Sequence, residues 1–344
     1  MTAYHRLFTS LALLVLLVGA VACPIGTAPT PTPAPTATPS PTATPTPTPD
    51  PYAGLYIDDL RARSYGVTGT IEVVDTLGDF AGFTRYLIRY PSDGLRINGF
   101  MNVPKGVGPF PVVVVVHGYI PPTTYKTVAY TSMYADYIAS SGYLVLHPDL
   151  RGHGTSEGSS QPAFRVGYAI DVLNLIALAK KLPNARTDGG IGIMGHSMGG
   201  GVTGRVMVVS PDVKAAVLYA AVSLDEARTD RFPSSGTPGP TRTPPAGTPG
   251  PTRTPVPPEV AERISPINYI RYLSGPVGIH HGEADRDVSP QNSVRVVERL
   301  QAEGRAYEYF TYPDQPHTLW GDAHTLFNRR VVALFDRTIK RPPG

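Results

Sequence analysis

One serine lies in a sequence context that is typical of a catalytic nucleophile. Residues 191–201 read IGIMGHSMGGG, so a short β-branched strand runs into Ser197 and a helix-like stretch follows directly. A serine on so tight a turn has a strained backbone, and Gly195 and Gly199 present no side chain to strike the neighbouring strand or helix. The turn would hold the hydroxyl clear of the sheet, while the Met198 amide opens a helix and can bind an anion. The pattern predicts a nucleophile elbow.

A second match to G-x-S-x-G occurs at residues 154–158, around Ser156. The bare pattern is weak evidence in a chain that contains 35 glycines. No strand runs directly into this second copy, because residues 147–149 (HPD) have already ended one, and residues 158–162 (GSSQP) are typical of a loop. The context therefore favours Ser197 as the nucleophile and Ser156 as a loop residue.

A serine hydroxyl at neutral pH needs a base, and the base needs a carboxylate that orients it. In folds that carry a nucleophile elbow, these residues follow one another in the order Ser, acid, His, and His317 and His324 are the two histidines that come after a plausible acid. His317 lies in a loop directly after a predicted strand, whereas His324 falls inside the last helical pattern. His153 precedes Ser197 and does not fit this order. The sequence favours His317 as the base.

Three acidic residues are candidates for the carboxylate. Glu283, Asp285 and Asp287 all follow the strand predicted at residues 276–281. Each lies at the carboxyl end of that strand, which is the edge where parallel sheets build their sites. Residue type and position leave the choice among the three open.

Alternating strand and helix signals from residue 70 onwards predict a mostly parallel sheet. Residues 112–116 are five consecutive valines, which indicates a strand buried on both faces. The first three strands are predicted to be antiparallel, with a turn at residues 92–94. The fold class is therefore α/β, a doubly wound, mostly parallel sheet with an antiparallel N-terminal edge, as in α/β-hydrolases. Strands are predicted at residues 70–76, 83–90, 95–103, 110–116, 142–147, 190–194, 214–222, 276–281 and 306–311, and helices at residues 127–141, 163–182, 198–209, 265–273, 290–303 and 321–339.

The N-terminal segment indicates export. Residues 1–22 contain one early arginine followed by an apolar run, and we interpret them as a signal peptide. They end in small residues before Cys23, the sole cysteine, which resembles a bacterial lipobox with Ala20 where leucine is usual. A plain signal peptide and an uncleaved anchor are the alternatives. Residues 23–51 are rich in Pro and Thr and predict an extended linker. We expect a lipid-anchored cell-surface protein or a secreted one, with a catalytic domain over 52–344.

The Pro/Thr/Gly-rich composition returns at residues 233–258. There the segment GTPGPTRTP occurs at 236–244 and again at 247–255. A tandem repeat this short predicts a disordered, solvated insertion rather than a solenoid unit. It partly occupies the position of a cap between the strand at 214–222 and the acid-bearing strand, which predicts an open pocket.

Composition argues against several other functions. The formal charge is +3 and no basic run precedes the extreme C-terminus, so the chain lacks the electrostatic footprint of a nucleic-acid-binding protein. One cysteine cannot form an intrachain disulfide. We find no Cys/His cluster with zinc spacing and no phosphate-binding glycine loop. We expect neither a metal nor an organic cofactor, and the oligomeric state stays open.

The order of the separate motifs resembles that of prolyl oligopeptidase-type serine peptidases and their esterase relatives, including dienelactone-hydrolase-like enzymes. In that family the acid is the Asp four residues after the His of a His-Gly pair, which corresponds to Asp285; Asp287 is then a loop residue. Two features depart from the family pattern: no β-propeller precedes the catalytic part, and the proline of the acid loop is displaced to Pro290. The resemblance spans about residues 85–340 and rests on SDGLRINGFMNVPKG, PFPVVVVVHGY, HPDLRGHGTSEG, GHSMGGG, SPINYI, HGEADRDVSP and YPDQPHT.

The resemblance also implies a second oxyanion donor. In this fold the loop after the five-valine strand supplies it, and we assign it to the backbone N–H of Tyr119, which would act together with that of Met198. Other residues near these motifs are expected to be structural. His117 packs beneath the site, and His196 points away from the nucleophile. Asp149 and Arg151 tie their loop to neighbouring backbone, and the tyrosines at 130, 134 and 137 are packing residues.

Together these observations predict a serine hydrolase of ester or amide bonds. Ser197 would attack the carbonyl, His317 would act as base and then acid, and Asp285 would fix the tautomer of His317. The motifs favour a serine-type peptidase of short peptides, while the missing propeller and short cap favour a carboxylesterase of small substrates. A surface-tethered binding protein without turnover is a third alternative, against which the complete Ser, Asp and His set argues.

Overall fold

Ten strands among the described residues form one sheet in the computed structural model of the chain. The structure describes residue 26, residues 49–227 and residues 256–340. The strands are β1 (Glu72–Asp79), β2 (Phe83–Ser92), β3 (Leu95–Pro104), β4 (Phe110–Val116), β5 (Leu144–Pro148), β6 (Ala185–Arg186), β7 (Ile191–His196), β8 (Val213–Tyr219), β9 (Val277–Gly282) and β10 (Tyr307–Tyr312). They follow the order β1-β2-β3-β5-β4-β7-β8-β9-β10, and β6 pairs with β4.

The sheet has an antiparallel edge and a parallel remainder. β1 and β2, β2 and β3, and β3 and β5 pair antiparallel. β4 runs parallel to β5 and β7, and the parallel pairing continues through β8, β9 and β10. Parallel neighbours need long crossovers, which the helices supply. The predicted α/β class, with a mostly parallel sheet and an antiparallel N-terminal edge, is confirmed.

Helices cover both faces of the sheet. Among the described residues, the sequence does not predict α1 (Ile57–Ala62), α5 (Pro258–Ile264) or β6, and the helix predicted at 265–273 is a 3-10 segment at Pro266–Tyr272. The short helices α1 and α5 bury only two and three side chains each, so tertiary packing rather than a strong periodic pattern stabilises them. The helices are α1 (Ile57–Ala62), α2 (Ser132–Ser140), α3 (Val166–Ala179), α4 (Met198–Val209), α5 (Pro258–Ile264), α6 (Gln291–Ala302) and α7 (Gly321–Phe335).

The five-valine strand lies between two hydrophobic cores. Val112, Val114 and Val116 belong to a cluster that includes residues of α3 and α4. Val113 and Val115 belong to a second cluster that includes residues of α2 and α7. All five side chains are fully buried. The absence of alternation in the sequence therefore reflects a strand that is covered on both faces, as predicted.

The flanks of the repeat-bearing segment are attached to α4. Buried Arg205 donates to the Ile264 carbonyl at 2.7 Å and to the Glu226 carboxylate at 2.9 Å. Arg165 donates to the same carboxylate at 2.6 Å. Glu226 precedes residues 228–255 and Ile264 follows them, so one arginine holds both flanks close to the helix that begins at the elbow.

Several predictions made for the chain termini and the repeat lie outside the described residues. They comprise the signal peptide at 1–22, Cys23, almost all of the linker and most of the insertion at 233–258; Pro258 itself already belongs to α5. Across the described parts of the chain, no helix combines the length and the apolar character needed to cross a bilayer.

Candidate active site

Ser197 occupies the turn between β7 and α4 with a strained backbone. Its φ of 56° and ψ of −118° lie in a region that non-glycine residues seldom adopt. The Ser197 N–H donates to the Tyr219 carbonyl at 2.9 Å, and the Ser197 carbonyl accepts the N–H groups of Gly201 and Val222, each at 3.2 Å. Main-chain bonds to β8 and to the segment after it therefore hold the turn in the predicted elbow conformation.

The two glycines of the motif are required by close backbone contacts. A Cβ atom at Gly195 would collide with the Gly199 carbonyl, and one at Gly199 would collide with the carbonyls of Val116 and His117. Helix α4 therefore begins directly against the ends of β4 and β7. This is the steric reason that the sequence predicted.

Asp285 and His317, the predicted acid and base, lie together where β9 and β10 end. His317 Nδ1 lies 2.7 Å from Asp285 Oδ2, so Nδ1–H donates to the carboxylate and Nε2 is left for a substrate-side proton. The Asp285 side chain is fully buried and that of His317 is 16% exposed. Glu283 and Asp287 are exposed, and neither forms a hydrogen bond with His317 in the described part of the chain. The structure thus brings together the pair that the family resemblance implies.

Four hydrogen bonds surround the Asp285 carboxylate. The N–H groups of Asp287 and Val288 donate to Oδ1 at 2.8 and 2.9 Å, while His281 and His317 donate to Oδ2. Burial alone would raise the pKa of Asp285, but these donors outweigh it and hold the pKa well below its usual range. Asp285 is therefore ionised at neutral pH, and Asp287 contributes to its hydrogen bonding through its backbone N–H.

His281 is a buried partner of the acid that the sequence analysis did not assign. Its Nε2 lies 3.0 Å from Asp285 Oδ2 and 3.1 Å from the Val288 carbonyl, and its Nδ1 lies 2.7 Å from Ser293 Oγ. Because the carboxylate and the carbonyl can only accept, Nε2 carries the proton and Ser293 donates to Nδ1. The available signal was its position as the His of the His-Gly pair.

The loop that carries His317 packs directly on the elbow. His196 Nε2 lies 2.9 Å from the His317 carbonyl, and the two imidazole rings are 4.6 Å apart. His196 Nδ1 lies 2.6 Å from the Tyr130 hydroxyl. The prediction that Tyr130 only packs was wrong, because its hydroxyl bonds to His196, the residue before Ser197. Tyr134 is buried against Tyr219, as expected of a packing residue.

The loop after β4 lies against Ser197, the predicted nucleophile. A Cβ at Gly118 would be 3.2 Å from Ser197 Cβ, so the backbone of residues 117–119 borders the Ser197 side chain. Met198 is the first residue of α4, and its N–H therefore has no acceptor within the helix. The backbone at Gly118, next to Tyr119, and the start of α4 at Met198 therefore both border the serine, and the two predicted oxyanion donors belong to these segments.

The other polar residues near the site are structural. Buried His117 accepts the Leu150 N–H at 3.3 Å and donates to the Gly118 carbonyl at 2.7 Å. Ser156 donates to the Asp149 carbonyl at 2.6 Å and accepts the Asn98 N–H at 2.9 Å, so the second motif match is a loop residue as predicted. Among the remaining histidines, His324 bonds to Asn328 on α7, and buried His153 lies against the carbonyls of its own loop.

Asp149 and Arg151 fix the loop after β5 through side chains. The Tyr125 and Thr127 hydroxyls both donate to Asp149 at 2.6 Å, and Arg151 forms two bonds with Asp171. Burial raises the pKa of Asp149 to about 6, although both hydroxyls oppose that rise. The implied ties were to neighbouring backbone, and the structure shows that most of them are to side chains. They also explain why α2 begins at Ser132, because the predicted start at 127 lies in a segment held by Asp149.

The decisive comparison is with protein families. Residues 129–341, more than half of the chain, match the model of the prolyl oligopeptidase family. The chain belongs to the prolyl oligopeptidase family. It is accordingly a serine hydrolase, and the alternative of a binding protein without turnover is set aside.

Relatives of this family member include both peptidases and esterases. The uncharacterized peptidase YtmA of Bacillus subtilis is 27% identical over 261 residues, which cover 74% of this chain and 93% of YtmA. Acetyl xylan esterase 1 of Thermoanaerobacterium superposes with a TM-score of 0.59 at 19% identity, over 82% of this chain and 94% of the esterase. The acylaminoacyl peptidase of Pyrococcus horikoshii gives 0.59 at 19% identity, but over only 43% of its own length. The two structural likenesses establish the fold.

One group of potential metal ligands occurs in the described part of this serine hydrolase. Ligand atoms of Asp285, Asp287 and His317 lie within 4.8 Å of one another. His317 Nδ1 and the Asp285 carboxylate already bond to each other. A metal there would have to displace the contact between Asp285 and His317, and we assign none.

Proposed function

We propose that this family member cleaves ester or amide bonds through Ser197, His317 and Asp285. The observation that carries the proposal is the hydrogen bond from His317 Nδ1 to buried Asp285. The main-chain carbonyl of His317 is also bonded to His196, the residue that precedes Ser197. This arrangement directs His317 Nε2 away from the acid and fixes the tautomer that a general base needs.

The proposed reaction has two stages. Ser197 Oγ attacks the carbonyl carbon while His317 Nε2 takes its proton, and Asp285 stabilises the resulting imidazolium. The N–H groups of Met198 and Tyr119 stabilise the negative oxygen of the tetrahedral intermediate. His317 returns the proton to the leaving alcohol or amine as the acyl-enzyme forms. A water molecule then attacks the acyl carbon while His317 Nε2 takes its proton. The bond from that carbon to Ser197 Oγ breaks, and His317 returns the proton to Oγ, which releases the acid and restores the serine.

We place short peptides first among the substrates, with small esters as the second candidate. The family match and the peptidase named among the relatives support amide cleavage. The esterase reading is supported by the structural likeness to acetyl xylan esterase 1, of which the chain covers 94%. Both readings share one site and differ in the leaving group.

A side-by-side substrate panel separates the two candidates. We expect the protein to hydrolyse peptidyl p-nitroanilides in addition to p-nitrophenyl acetate and butyrate. An activated ester needs less help from a general acid than an anilide does, so anilide turnover is the diagnostic result. Hydrolysis of the esters without detectable anilide turnover would contradict the peptidase proposal and leave the esterase.

We further propose that the protein is exported and attached to a membrane by a lipid on Cys23, with residues 24–51 as a spacer. The single cysteine follows small residues after an apolar run, which supports the proposal. Expressed in a bacterial host, the full chain should begin at Cys23 and carry acyl chains on it by mass spectrometry, and Cys23→Ala should carry none. A protein whose Cys23 carries no acyl group would contradict lipidation.

A further inference from the structure

We propose that Tyr130 and His196 are positioning residues. They couple the loop at residues 117–119 (the oxyanion loop) and the loop at residues 316–318 (the base loop) to the elbow at Ser197. The inference rests on the proposed function, because it assigns Ser197 and His317 their catalytic roles. The coupling runs from the backbone at Gly118, through the Tyr130 hydroxyl and the His196 ring, to the main-chain carbonyl of His317. These contacts are called the relay.

The proton positions in the relay follow from which of its atoms can donate a hydrogen bond and which can only accept one. The His317 carbonyl can only accept, so His196 Nε2, at 2.9 Å, carries the hydrogen. His196 Nδ1 is then an acceptor, and the Tyr130 hydroxyl, at 2.6 Å, donates to it. Burial lowers the pKa of His196 to about 3, which keeps the ring neutral and in this single tautomer at neutral pH.

At one end of the relay, the Tyr130 hydroxyl contacts the oxyanion loop. The Gly118 backbone contacts the Tyr130 hydroxyl so closely that a Cβ at Gly118 would collide with it. The same glycine borders Ser197 Cβ and precedes Tyr119, the proposed second oxyanion donor. A shift of the Tyr130 hydroxyl would therefore move the backbone that presents the Tyr119 N–H to the substrate.

At the other end of the relay, the His196 ring bonds to the main chain of the base loop. Asp285 fixes the His317 ring at Nδ1, and His196 fixes the His317 main chain at its carbonyl. The His196 ring also packs on Tyr219 with 4.3 Å between ring centroids. His196 is adjacent to Ser197 in the chain, so one rigid side chain sets the base loop relative to the nucleophile.

The relay joins three segments that are distant in sequence. They are the loops at 117–119, 196–198 and 316–318, and each carries one proposed part of the reaction. Catalytic rates respond steeply to such geometry, since a misplacement of about 1 Å can cost 10²-fold. A hydroxyl and an imidazole outside the reacting set can therefore control the rate without touching the substrate.

Tyr130→Phe is the leading test because it removes one oxygen and preserves the ring. With p-nitrophenyl butyrate, we expect kcat to fall by about 10- to 100-fold with little change in KM, since ground-state binding does not use the relay. The rate of fluorophosphonate labelling of Ser197 should fall in parallel, and the melting temperature should stay close to that of wild type. Tyr137→Phe is the matched control, because Tyr137 lies on α2 with 37% exposure and its variant should keep kcat within about twofold.

Substitutions at His196 test the same relay at its central residue. They also provide a test if Tyr130→Phe does not fold. His196→Gln retains an amide that can donate to the His317 carbonyl, whereas His196→Leu retains none. We expect His196→Gln to keep more kcat than His196→Leu. Adding Tyr130→Phe to His196→Leu should cause little further loss, because both changes break one coupled chain.

The outcomes separate this proposal from the proposed function. If Ser197→Ala abolishes labelling but Tyr130→Phe retains wild-type kcat, the relay is wrong and the proposed function stands. A loss in Tyr130→Phe that appears only in KM, or that matches a fall in melting temperature, also overturns the relay, as do multiplicative losses in the double variant. If Ser197→Ala is still labelled, the proposed function itself is wrong.

Discussion

Ser197→Ala is expected to abolish reaction with a fluorophosphonate probe and to lower kcat for p-nitrophenyl esters by about 10⁶-fold. The probe forms a covalent bond with an activated serine oxygen, and alanine removes that oxygen without filling the site. Since Ser197 has a φ of 56°, alanine must adopt the same strained turn, and the melting temperature of the variant should be measured beside its activity.

Ser156→Ala is the matched control for the nucleophile. Ser156 lies in the second G-x-S-x-G match, and its hydroxyl bonds to the Asn98 N–H and the Asp149 carbonyl rather than facing a substrate. We expect this variant to lose some stability and to remain fully labelled. Labelling that survives in Ser197→Ala, or disappears in a folded Ser156→Ala, would contradict the assignment of the nucleophile.

Asp285→Asn is expected to lower kcat by about 10⁴-fold. The amide that replaces the carboxylate cannot stabilise the imidazolium, and its NH₂ group favours the wrong tautomer of His317. Asp287→Asn is the matched control two residues away. Asp287 contributes a backbone N–H to Asp285, and that group survives the substitution, so kcat should remain within about twofold of wild type.

The same variant should change the pH dependence of stability in a defined direction. The folded-state pKa of Asp285 is depressed, so its contribution to stability is present above the pKa of an unfolded aspartate, about 3.9, and is lost as the pH falls below it. Urea unfolding should therefore show wild type to be more stable than Asp285→Asn at pH 7, with the difference shrinking in acid. A difference that does not change between pH 7 and pH 3 would contradict the depressed pKa.

The predictions that succeeded from sequence concern features encoded within a few residues. The elbow at Ser197 follows from a strand, two glycines and a helix start in immediate succession, and the collisions at Gly195 and Gly199 show why no other residues fit. The five valines predicted a strand buried on both faces, and the two cores on either side of β4 explain that pattern. Helix α4 occupies the predicted residues because its start is the elbow itself.

The predictions that failed concern contacts between distant segments. Tyr130 was expected only to pack, and His281 was given no role. Each instead bonds to a residue of another loop or helix, since Tyr130 meets His196 across 66 residues and His281 meets Ser293 on α6. The type of a tyrosine or histidine does not specify its partner when that partner is brought in by the sheet. Helices α1 and α5 were missed because they are short and depend on packing.

The sequence by itself determined the α/β class, the nucleophile motif and the edge of the sheet at which the polar residues gather. These depend on periodicity, glycine sterics and strand direction, all of which are local. Residue type left Glu283, Asp285 and Asp287 equivalent as acids, and a family resemblance chose among them. Tertiary structure showed why one is favoured, because the loops after β9 and β10 bury Asp285 against His317 and leave the other two in solvent. A carboxylate orients a histidine through position and burial, and only the folded chain sets these.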